Sequence, residues 1–331
     1  ISDNHAGNDI SSGDGGGTWS TSELPSALGE LQAHYPDEVS VAPPVIAVRG
    51  GTVVVSASLS ANLDFAARVP GGIPPDGSLE ITDDGVVVGV MACEASPPSR
   101  VVADGTVDTD PAAEALDVAK ACTGPDPATA QTYTWAQLGV DDELRDLVVY
   151  GRTSVYVSQD GGEFTAVDIG DATRVGGQVV AADDGFTLFL TRSSVGVAPP
   201  EVVDATTEVL RSADGVTWEP AGELPGYVMS AGTVGGRPAL ALSDVGGDAS
   251  IQLGQADGSW LPVDPGQAVG PDGGIVGSVA FGPLGWVAVV WPETPDGTVT
   301  AEKTHVVHSV DGTTISVVPL ADLVAPDQIG S

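Results

Sequence analysis

A chain of 331 residues can bury a sizeable hydrophobic core, and its length allows one closed β fold or two smaller domains. Its 46 acidic and 11 basic residues give a formal net charge of −35. Nucleic acid is excluded as a partner because phosphate binding needs a cationic surface, and anionic membranes are disfavoured for the same reason. The 44 glycines and 25 prolines, together with abundant valine, predict strands and turns with little helix.

No stretch of the sequence is long and apolar enough to predict insertion into a membrane. The most apolar stretch, 276–291, is interrupted by Gly282, Pro283 and Gly285 and is too short to span a bilayer. The chain starts at Ile1 instead of methionine, and we expect a processed, mature protein from outside the cell or from the cell envelope.

The N-terminal part contains a hairpin-like segment, a short helix candidate and a clear hairpin. The segment Ser12–Trp19 has glycine-rich turn chemistry, and 26–33 is a weak helix candidate. The runs 45–48 and 52–55 are apolar and flank the turn Arg49-Gly50-Gly51, which predicts two antiparallel strands.

Short apolar runs that end in a polar-Asp-Gly turn recur along the rest of the chain. Asp-Gly favours a tight hairpin, with glycine at positive φ. The Asp carboxylate and a preceding Ser hydroxyl can accept bonds from turn N–H groups. The aspartates of these turns are Asp84, Asp160, Asp214, Asp257 and Asp311.

The spacing of these turns predicts an all-β fold. Three of the four intervals fit a β-propeller blade of roughly 40–50 residues plus loops. We therefore expect a single domain over 1–331, with four-stranded antiparallel blades numbering five to seven and six favoured. The N-terminal hairpin could join the last blade, 99–107 with 131–135 could form a degenerate blade, or the chain could be a fragment.

The hairpins inside the repeats follow one pattern. In the earlier copy, 178–182 and 186–190 flank Asp183-Asp184-Gly185. In the later copy, 277–281 and 286–291 flank a Gly-Pro-Leu-Gly turn, and 304–309 and 314–318 supply the third and outer strands. Alternating or continuous apolar runs of this length are typical of strands packed on one or both faces.

The longest interval, between Asp84 and Asp160, contains the two cysteines. We expect a small helical insertion over 93–124, with Asp110 as N-cap and a helix over 112–121. In an extracellular chain Cys93 and Cys122 would form a disulfide that closes this insertion.

The turn motifs resemble the Asp-box, or bacterial neuraminidase repeat, written Ser-x-Asp-x-Gly-x-Thr-Trp. The segment that begins at Ser12 matches it letter for letter, and the internal copies are often one residue shorter. The resemblance implies a sialidase-like propeller from a secreted bacterial protein, with the motif residues holding the turns together. These structural residues are Ser12, Asp14, Trp19, Ser158, Asp160, Phe164, Ser212, Asp214, Trp218, Asp257, Trp260, Ser309 and Asp311.

Catalytic residues cannot be assigned from the sequence. Sialidase chemistry implies an arginine cluster and a Tyr–Glu pair, but Arg49 lies in a different sequence context and reads as a surface turn residue. His305 and His308 are three apart and point to opposite faces of a strand, which disfavours a chelating pair. No cofactor is expected, although Asp-rich loops such as Asp83-Asp84-Gly85 could bind Ca²⁺.

We therefore expect a secreted or cell-surface binding or scaffold module for a protein or glycan partner. The alternative is an extracellular glycan-active hydrolase of sialidase-like architecture. The long loops 194–206 and 292–303 are the expected recognition elements, because loops on a rigid scaffold commonly carry binding residues.

Overall fold

The structure of the protein is a computed structural model. The structure describes residues 9–13, 19–23, 27–95, 100–101, 107–108, 120–170, 175–193, 205–244, 249–270, 273–291 and 303–323. More than half of the residues in these ranges lie in strands and few lie in helices, which confirms the all-β prediction. Every strand pair among them is antiparallel.

The elements follow one another as short strands with few helices between them. The strands are β1 Asp9–Gly13, β2 Trp19–Glu23, β3 Val39–Val41, β4 Val45–Arg49, β5 Thr52–Ala61, β6 Gly77–Thr82, β7 Gly85–Ala95, β8 Arg100–Val101, β9 Val107–Asp108, β10 Lys120–Pro125, β11 Gln131–Thr134, β12 Arg152–Gln159, β13 Thr165–Val167, β14 Val175–Ala182, β15 Gly185–Ser193, β16 Ala205–Ser212, β17 Glu219–Pro225, β18 Tyr227–Val234, β19 Arg237–Ser243, β20 Ala249–Gly254, β21 Trp260–Val263, β22 Ile275–Gly282, β23 Gly285–Trp291, β24 His305–Ser309 and β25 Ser316–Pro319. The helices are α1 Ala27–His34, α2 Phe65–Arg68, α3 Asp142–Val149, a 3-10 helix Gly266–Val269 and α4 Leu320–Leu323. The candidate helix over 26–33 is confirmed by α1, whereas α3 has no counterpart among the predicted elements.

The chain divides into two compact units. The first comprises 1–62, 146–194 and 203–331, and the second comprises 63–145 and 195–202. In the described residues, the first unit contains the two-stranded sheet of β1 and β2 and four larger sheets, called sheets 1 to 4. Sheet 1 is built from β3, β4, β5, β12 and β13, sheet 2 from β14–β17, sheet 3 from β18–β21 and sheet 4 from β22–β25.

The four sheets of the first unit pack on one another in chain order. Their first long strands, β4, β14, β18 and β22, contact each other in that sequence. Strands of sheet 2 bury alternate side chains on opposite sides: Leu188 belongs to the core shared with sheet 1, and Phe189 to the core shared with sheet 3. A further core joins sheets 3 and 4 around Ile251 and Val290. Successive four-stranded sheets packed face to face are the arrangement of propeller blades.

The second unit contains one four-stranded sheet and a two-stranded ribbon. The long strand β7 pairs with β6 on one edge, and on its other edge with β11 and then β10. The ribbon consists of β8 and β9. The described residues therefore form five sheets of at least four strands, and β11 belongs to one of these, not to a separate degenerate blade.

The structure corrects the role of Asp84. Its turn joins β6 to β7, the first hairpin of that sheet, as the turn at Asp184 joins β14 to β15. Asp84 therefore does not mark a turn between a third and an outer strand. Asp-Gly suits any tight hairpin, so the dipeptide does not identify which hairpin it closes. The long interval before Asp160 arises because the chain runs through 63–145 between β5 and β12 of sheet 1.

The predicted insertion over 93–124 is also corrected in part. Lys120 and Ala121, the last residues near the end of the predicted helix, lie in β10 and pair with β7. Strand pairing outweighs the helix propensity of this segment, because propensity is a weak preference that tertiary contacts override. The rest of the predicted helix, with its N-cap, lies outside the described residues.

The two cysteines occupy directly opposed positions. Cys93 in β7 is the cross-strand partner of Cys122 in β10. Opposed residues of an antiparallel pair have Cα atoms roughly 4.5–5.5 Å apart, within the range that a disulfide bridges. The backbone register is therefore compatible with a disulfide, and the bond itself stays a prediction.

We expect labelling of the unreduced, denatured protein to detect no reactive thiol. A Cys93→Ser/Cys122→Ser variant should lose about 3–4 kcal/mol of unfolding free energy, because the cross-link restricts the unfolded chain. Urea unfolding of the oxidised protein and the variant measures the difference. Two reactive thiols in the unreduced protein would refute the disulfide.

Candidate functional site

Each of sheets 2 to 4 has two ends. At the turn end, turns of two to six residues join the first strand to the second and the third to the outer strand. At the loop end lie the connections from the second strand to the third and from each sheet to the next, which vary from one residue to thirteen. Tyr227, Ser243 and Ala249 lie next to one another across sheet 3 and define its loop end.

A polar cleft lies at the loop end of sheet 3, and we call it the loop-end cleft. Its volume is about 410 Å³. Two aspartates, Asp244 and Asp264, line it together with two glutamines, Gln252 and Gln267. The remaining lining residues are Pro225, Leu242, Ala249, Ser250, Gly266, Gly273, Gly274 and Ile275.

Local hydrogen bonds orient the polar side chains of this cleft. Oδ1 of Asp264 accepts a bond from the backbone N–H of Gln267 at 3.2 Å, which fixes the carboxylate at the start of the 3-10 helix. Nε2 of Gln252 donates to Oγ of Ser250 at 3.1 Å. This bond leaves Oε1 of Gln252 as the acceptor of its carboxamide.

The cleft combines strong acceptors with donors. Carboxylates accept hydrogen bonds only, whereas a carboxamide both donates and accepts. Sugar hydroxyl groups also donate and accept, so a saccharide can satisfy both kinds of group at once. The arrangement therefore suits a neutral, hydroxyl-rich ligand.

The predicted turn residues of sheets 2 to 4 lie at the turn ends of these sheets, away from the loop-end cleft. Oδ1 of Asp214 accepts from the backbone N–H groups of Val216 at 2.8 Å and Thr217 at 2.9 Å, and from Oγ of Ser212 at 3.1 Å. The N–H of Thr217, followed by that of Val216, lowers the pKa of Asp214. The Nε1–H of Trp218 donates to the carbonyl of Gly215 at 3.0 Å.

The turn of sheet 4 repeats this hydrogen-bond pattern, except that a different strand supplies the tryptophan. Oδ1 of Asp311 accepts from the backbone N–H groups of Thr313 and Thr314 and from Oγ of Ser309. The side-chain hydroxyl of Thr314 is the main cause of the lowered pKa of Asp311. The indole that donates to the turn glycine comes from another strand, since Nε1 of Trp286 bonds to the carbonyl of Gly312 at 2.9 Å.

The other motif turns differ from these two. In sheet 1, Asp160 adopts a positive φ of 52°, and its N–H donates to the carbonyl of Gly51 at 2.9 Å. Oγ of Ser158 donates to the carbonyl of Gly162, and Phe164 is half-buried.

In sheet 3, the side chain and N–H of Ser259 lower the pKa of Asp257. Trp260 contacts Phe189 edge to face, with ring centroids 5.8 Å apart.

The N-terminal motif is described only through its backbone. Ser12 lies in β1 and Trp19 in β2, and the two strands pair as a hairpin. Asp14 lies outside the described residues. The structural role of this motif stays a prediction.

Acid should remove the contribution of the Asp214 charge to stability. The pKa of Asp214 is lower in the folded chain than the ordinary value of an aspartate, so the ionised group stabilises the fold above about pH 4 and this gain is lost as pH falls through the folded pKa. We expect Asp214→Asn to lower the unfolding free energy by about 0.5–1 kcal/mol at neutral pH, a small effect because the group is exposed. Urea unfolding at pH 7 and at about pH 3 should show the difference shrinking in acid.

The matched control is Asp184→Asn, which alters an exposed carboxylate on the neighbouring turn. It should leave the unfolding free energy unchanged at both pH values. An Asp214→Asn effect that stayed constant with pH would mean that the charge is not the source of the stabilisation.

The remaining sequence candidates are placed as follows. Arg49 is exposed, and its Nη2 donates to the carbonyl of Asp183 at 2.6 Å, so it ties one turn to the next. His305 and His308 both lie in β24.

In the part of the chain that the structure describes, no group of three or more His, Cys, Asp or Glu residues could hold a metal ion. Nor does any helix in this part have the length and apolar character needed to cross a membrane.

The expected recognition loops fall almost entirely outside the described residues, at 194–204 and 292–302. The residues of the loop-end cleft were not among the sequence candidates. Asp244 and Asp264 each directly follow a strand, which is a signal for a site at a strand end. With 46 acidic residues in the chain, that signal does not single them out.

Comparison with known proteins yields distant structural similarities. Neither a protein-family model nor a curated protein sequence matches this chain. The family 117 glycoside hydrolase Zg3597 of the marine bacterium Zobellia galactanivorans is 10% identical over 85% of this chain and 69% of its own, with a TM-score of 0.37. A sialidase of Trypanosoma rangeli is 10% identical over 93% of this chain, which spans 40% of it, with a TM-score of 0.34. Similarities this distant carry no argument about function.

Proposed function

We propose that this chain is a glycan-binding module that holds its ligand in the loop-end cleft. The observation that carries the proposal is the lining of one cleft by two carboxylates and two carboxamides. Asp244 and Asp264 accept from sugar hydroxyls, and charged acceptors form the stronger hydrogen bonds. Gln252 and Gln267 add groups that both donate and accept.

We place the module outside the cell, as a secreted or surface protein. The opposed cysteines support this location, because disulfides form and persist in oxidising compartments. We also interpret the turns at Asp214 and Asp311 as Asp-box turns and the stacked sheets as blades of a propeller. Their shared hydrogen-bond pattern supports the first interpretation, and the chain-order packing of sheets 1 to 4 supports the second.

The second candidate is a glycoside hydrolase that uses the same cleft. One observation favours it: two carboxyl groups line one cleft, and hydrolysis of a glycosidic bond uses such a pair. One group would protonate the leaving oxygen, while the other would act as nucleophile or activate water. Binding and hydrolysis therefore share their residues and are separated by a product assay.

A panel of immobilised neutral and acidic glycans tests the proposal. The unaltered chain should bind at least one class, and Asp264→Asn and Gln252→Leu should each weaken that binding by about tenfold, the cost of one or two polar contacts. Asp184→Asn, at the turn end of sheet 2, should bind as the unaltered chain does. Release of reducing sugar that Asp244→Asn abolishes would identify a hydrolase. If both Asp264→Asn and Gln252→Leu bound glycan as tightly as the unaltered chain does, the proposed site would be refuted.

A further inference from the structure

Asp-Gly bonds recur along this chain, and each joins two groups that can react to rearrange the backbone. The glycine amide nitrogen attacks Cγ of the aspartate, and the amide proton leaves with a carboxyl oxygen as water while a five-membered succinimide ring closes. Water then opens the ring, and opening at the former backbone carbonyl gives isoaspartate, in which the main chain runs through the side-chain carboxyl carbon. The Asp-Gly bonds that lie within the described ranges begin at Asp76, Asp84, Asp160, Asp184, Asp214, Asp257 and Asp311.

Hydrogen bonds restrain four of these Asp-Gly bonds. At Asp214, the glycine N–H donates to Oγ of Ser212 at 2.8 Å, and the carboxylate accepts from two backbone N–H groups. The carboxylates of Asp257 and Asp311 also accept from backbone N–H groups of their turns. At Asp76, the glycine N–H donates to a carbonyl of the preceding residues at 2.8 Å. These bonds must break before the nitrogen can reach Cγ, which raises the barrier to ring closure.

Close packing restrains the bonds that follow Asp84 and Asp184. Their glycines begin β7 and β15 and are paired with neighbouring strands. A Cβ added at Gly85 or at Gly185 would overlap the backbone of the adjacent strand. The main chain at these two glycines therefore has no room to turn toward the carboxyl group.

The bond between Asp160 and Gly161, in the turn from β12 to β13, has neither kind of restraint. Within the described ranges, the N–H of Gly161 and the carboxylate of Asp160 form no hydrogen bond. Both residues are exposed, and a Cβ at Gly161 would meet no other atom within 4 Å beyond its chain neighbours. Asp160 also has a positive φ of 52°, a costly conformation for an L residue, and the added rotatable bond of isoaspartate relaxes that requirement.

We propose that Asp160 is a site of isoaspartate formation, and that the fold directs this modification to the β12–β13 turn. The product keeps the mass and the charge of the chain but adds one methylene to the main chain of the turn. The N–H of Asp160 donates to the carbonyl of Gly51 at 2.9 Å, so the modification alters the contact between this turn and the first hairpin of sheet 1. This site is independent of the proposed glycan site.

The test incubates the folded protein for several weeks at physiological pH and temperature. Isoaspartyl methyltransferase then labels the isoaspartate, and electron-transfer fragmentation of the digested peptides locates it. Isoaspartate should accumulate at Asp160 about fivefold faster or more than at Asp214, Asp257 and Asp311, because hydrogen bonds restrain those three sites. In guanidinium chloride the four rates should become similar, because the unfolded chain loses these bonds and every site has the same dipeptide.

Two variants separate the effect of the fold from the effect of the dipeptide. Ser212→Ala removes the acceptor of the glycine N–H and should raise isoaspartate formation at Asp214 about fivefold, with no change at Asp160. Asp160→Glu keeps the charge and should abolish the modification at this position, because its longer side chain would have to close a six-membered ring. Circular dichroism and thermal unfolding confirm that each variant is folded.

Equal accumulation at Asp160 and Asp214 in the folded protein would overturn the proposal. Absence of isoaspartate at Asp160 after an incubation that modifies the unfolded chain would overturn it too. Because Asp160→Glu should leave glycan binding unchanged, failure here is distinguishable from failure of the glycan site.

Discussion

Gly285→Ala should destabilise the chain by about 3 kcal/mol or more, because it combines backbone strain with a steric clash. Gly285 begins β23 at a φ of 135°, a conformation that side chains rarely adopt. A Cβ there would overlap the carbonyl oxygen of Ser309, the last residue of the neighbouring β24. The turn and the third strand of sheet 4 would have to separate for the methyl group to fit.

The control for this change lies in the same hairpin. Gly282 lies at the end of β22, and its φ is not in the positive range. A Cβ at this position would have no other atom within 4 Å beyond its chain neighbours. Gly282→Ala should therefore change the unfolding free energy by less than about 1 kcal/mol. Urea unfolding of the two variants measures the contrast, and equal effects would contradict the described approach of Gly285 to Ser309.

Phe189→Ala should cost about 3–5 kcal/mol, because it removes a large buried side chain and leaves a cavity. Phe189 is fully buried in the core between sheets 2 and 3, where it packs with Val209 and Leu240 and contacts the ring of Trp260. The loss should appear as a lower urea midpoint.

Leu284→Ala is the matched control for Phe189→Ala. Its side chain is 81% exposed on the turn before Gly285, so the unfolding free energy should change by less than about 0.5 kcal/mol. If Phe189→Ala were as mild as Leu284→Ala, sheets 2 and 3 would not share the core described here.

Hairpins were predictable from the sequence because apolar runs and turn residues are local signals. The strands around Arg49, Asp184 and Gly282 lie where the pattern placed them. The partners of those hairpins were harder to predict. Sheet 1 takes its third strand from residues after 145, and no local pattern reveals that 63–145 intervenes between paired strands.

The Asp-Gly motifs were a better guide to the hydrogen bonds within each turn than to which two strands the turn connects. Asp214 and Asp311 bind their turns through the expected acceptor oxygen. Asp84 carries the same dipeptide and closes a different hairpin. The tryptophan that completes the turn of sheet 4 is Trp286, far from Asp311 in sequence, so only the fold brings the two together.

The candidate site was not predictable, because its chemistry depends on which of many acidic residues converge. Asp244 and Asp264 are separated by two strands and meet only because β20 and β21 return to the loop end. Composition supplies such residues throughout the chain, and topology selects the ones that share a cleft.

The measurement that tests the central claim most directly is photo-crosslinking with the glycan that binds best in the panel, followed by mapping of the labelled peptides by mass spectrometry. A sugar that carries a photoreactive group should label the loop end of sheet 3, in peptides that contain Asp244, Gln252 or Asp264. Excess unlabelled glycan should abolish this labelling. Labelling confined to the turn end, or to sheets 1 and 4, would contradict the assignment of the loop-end cleft as the glycan site.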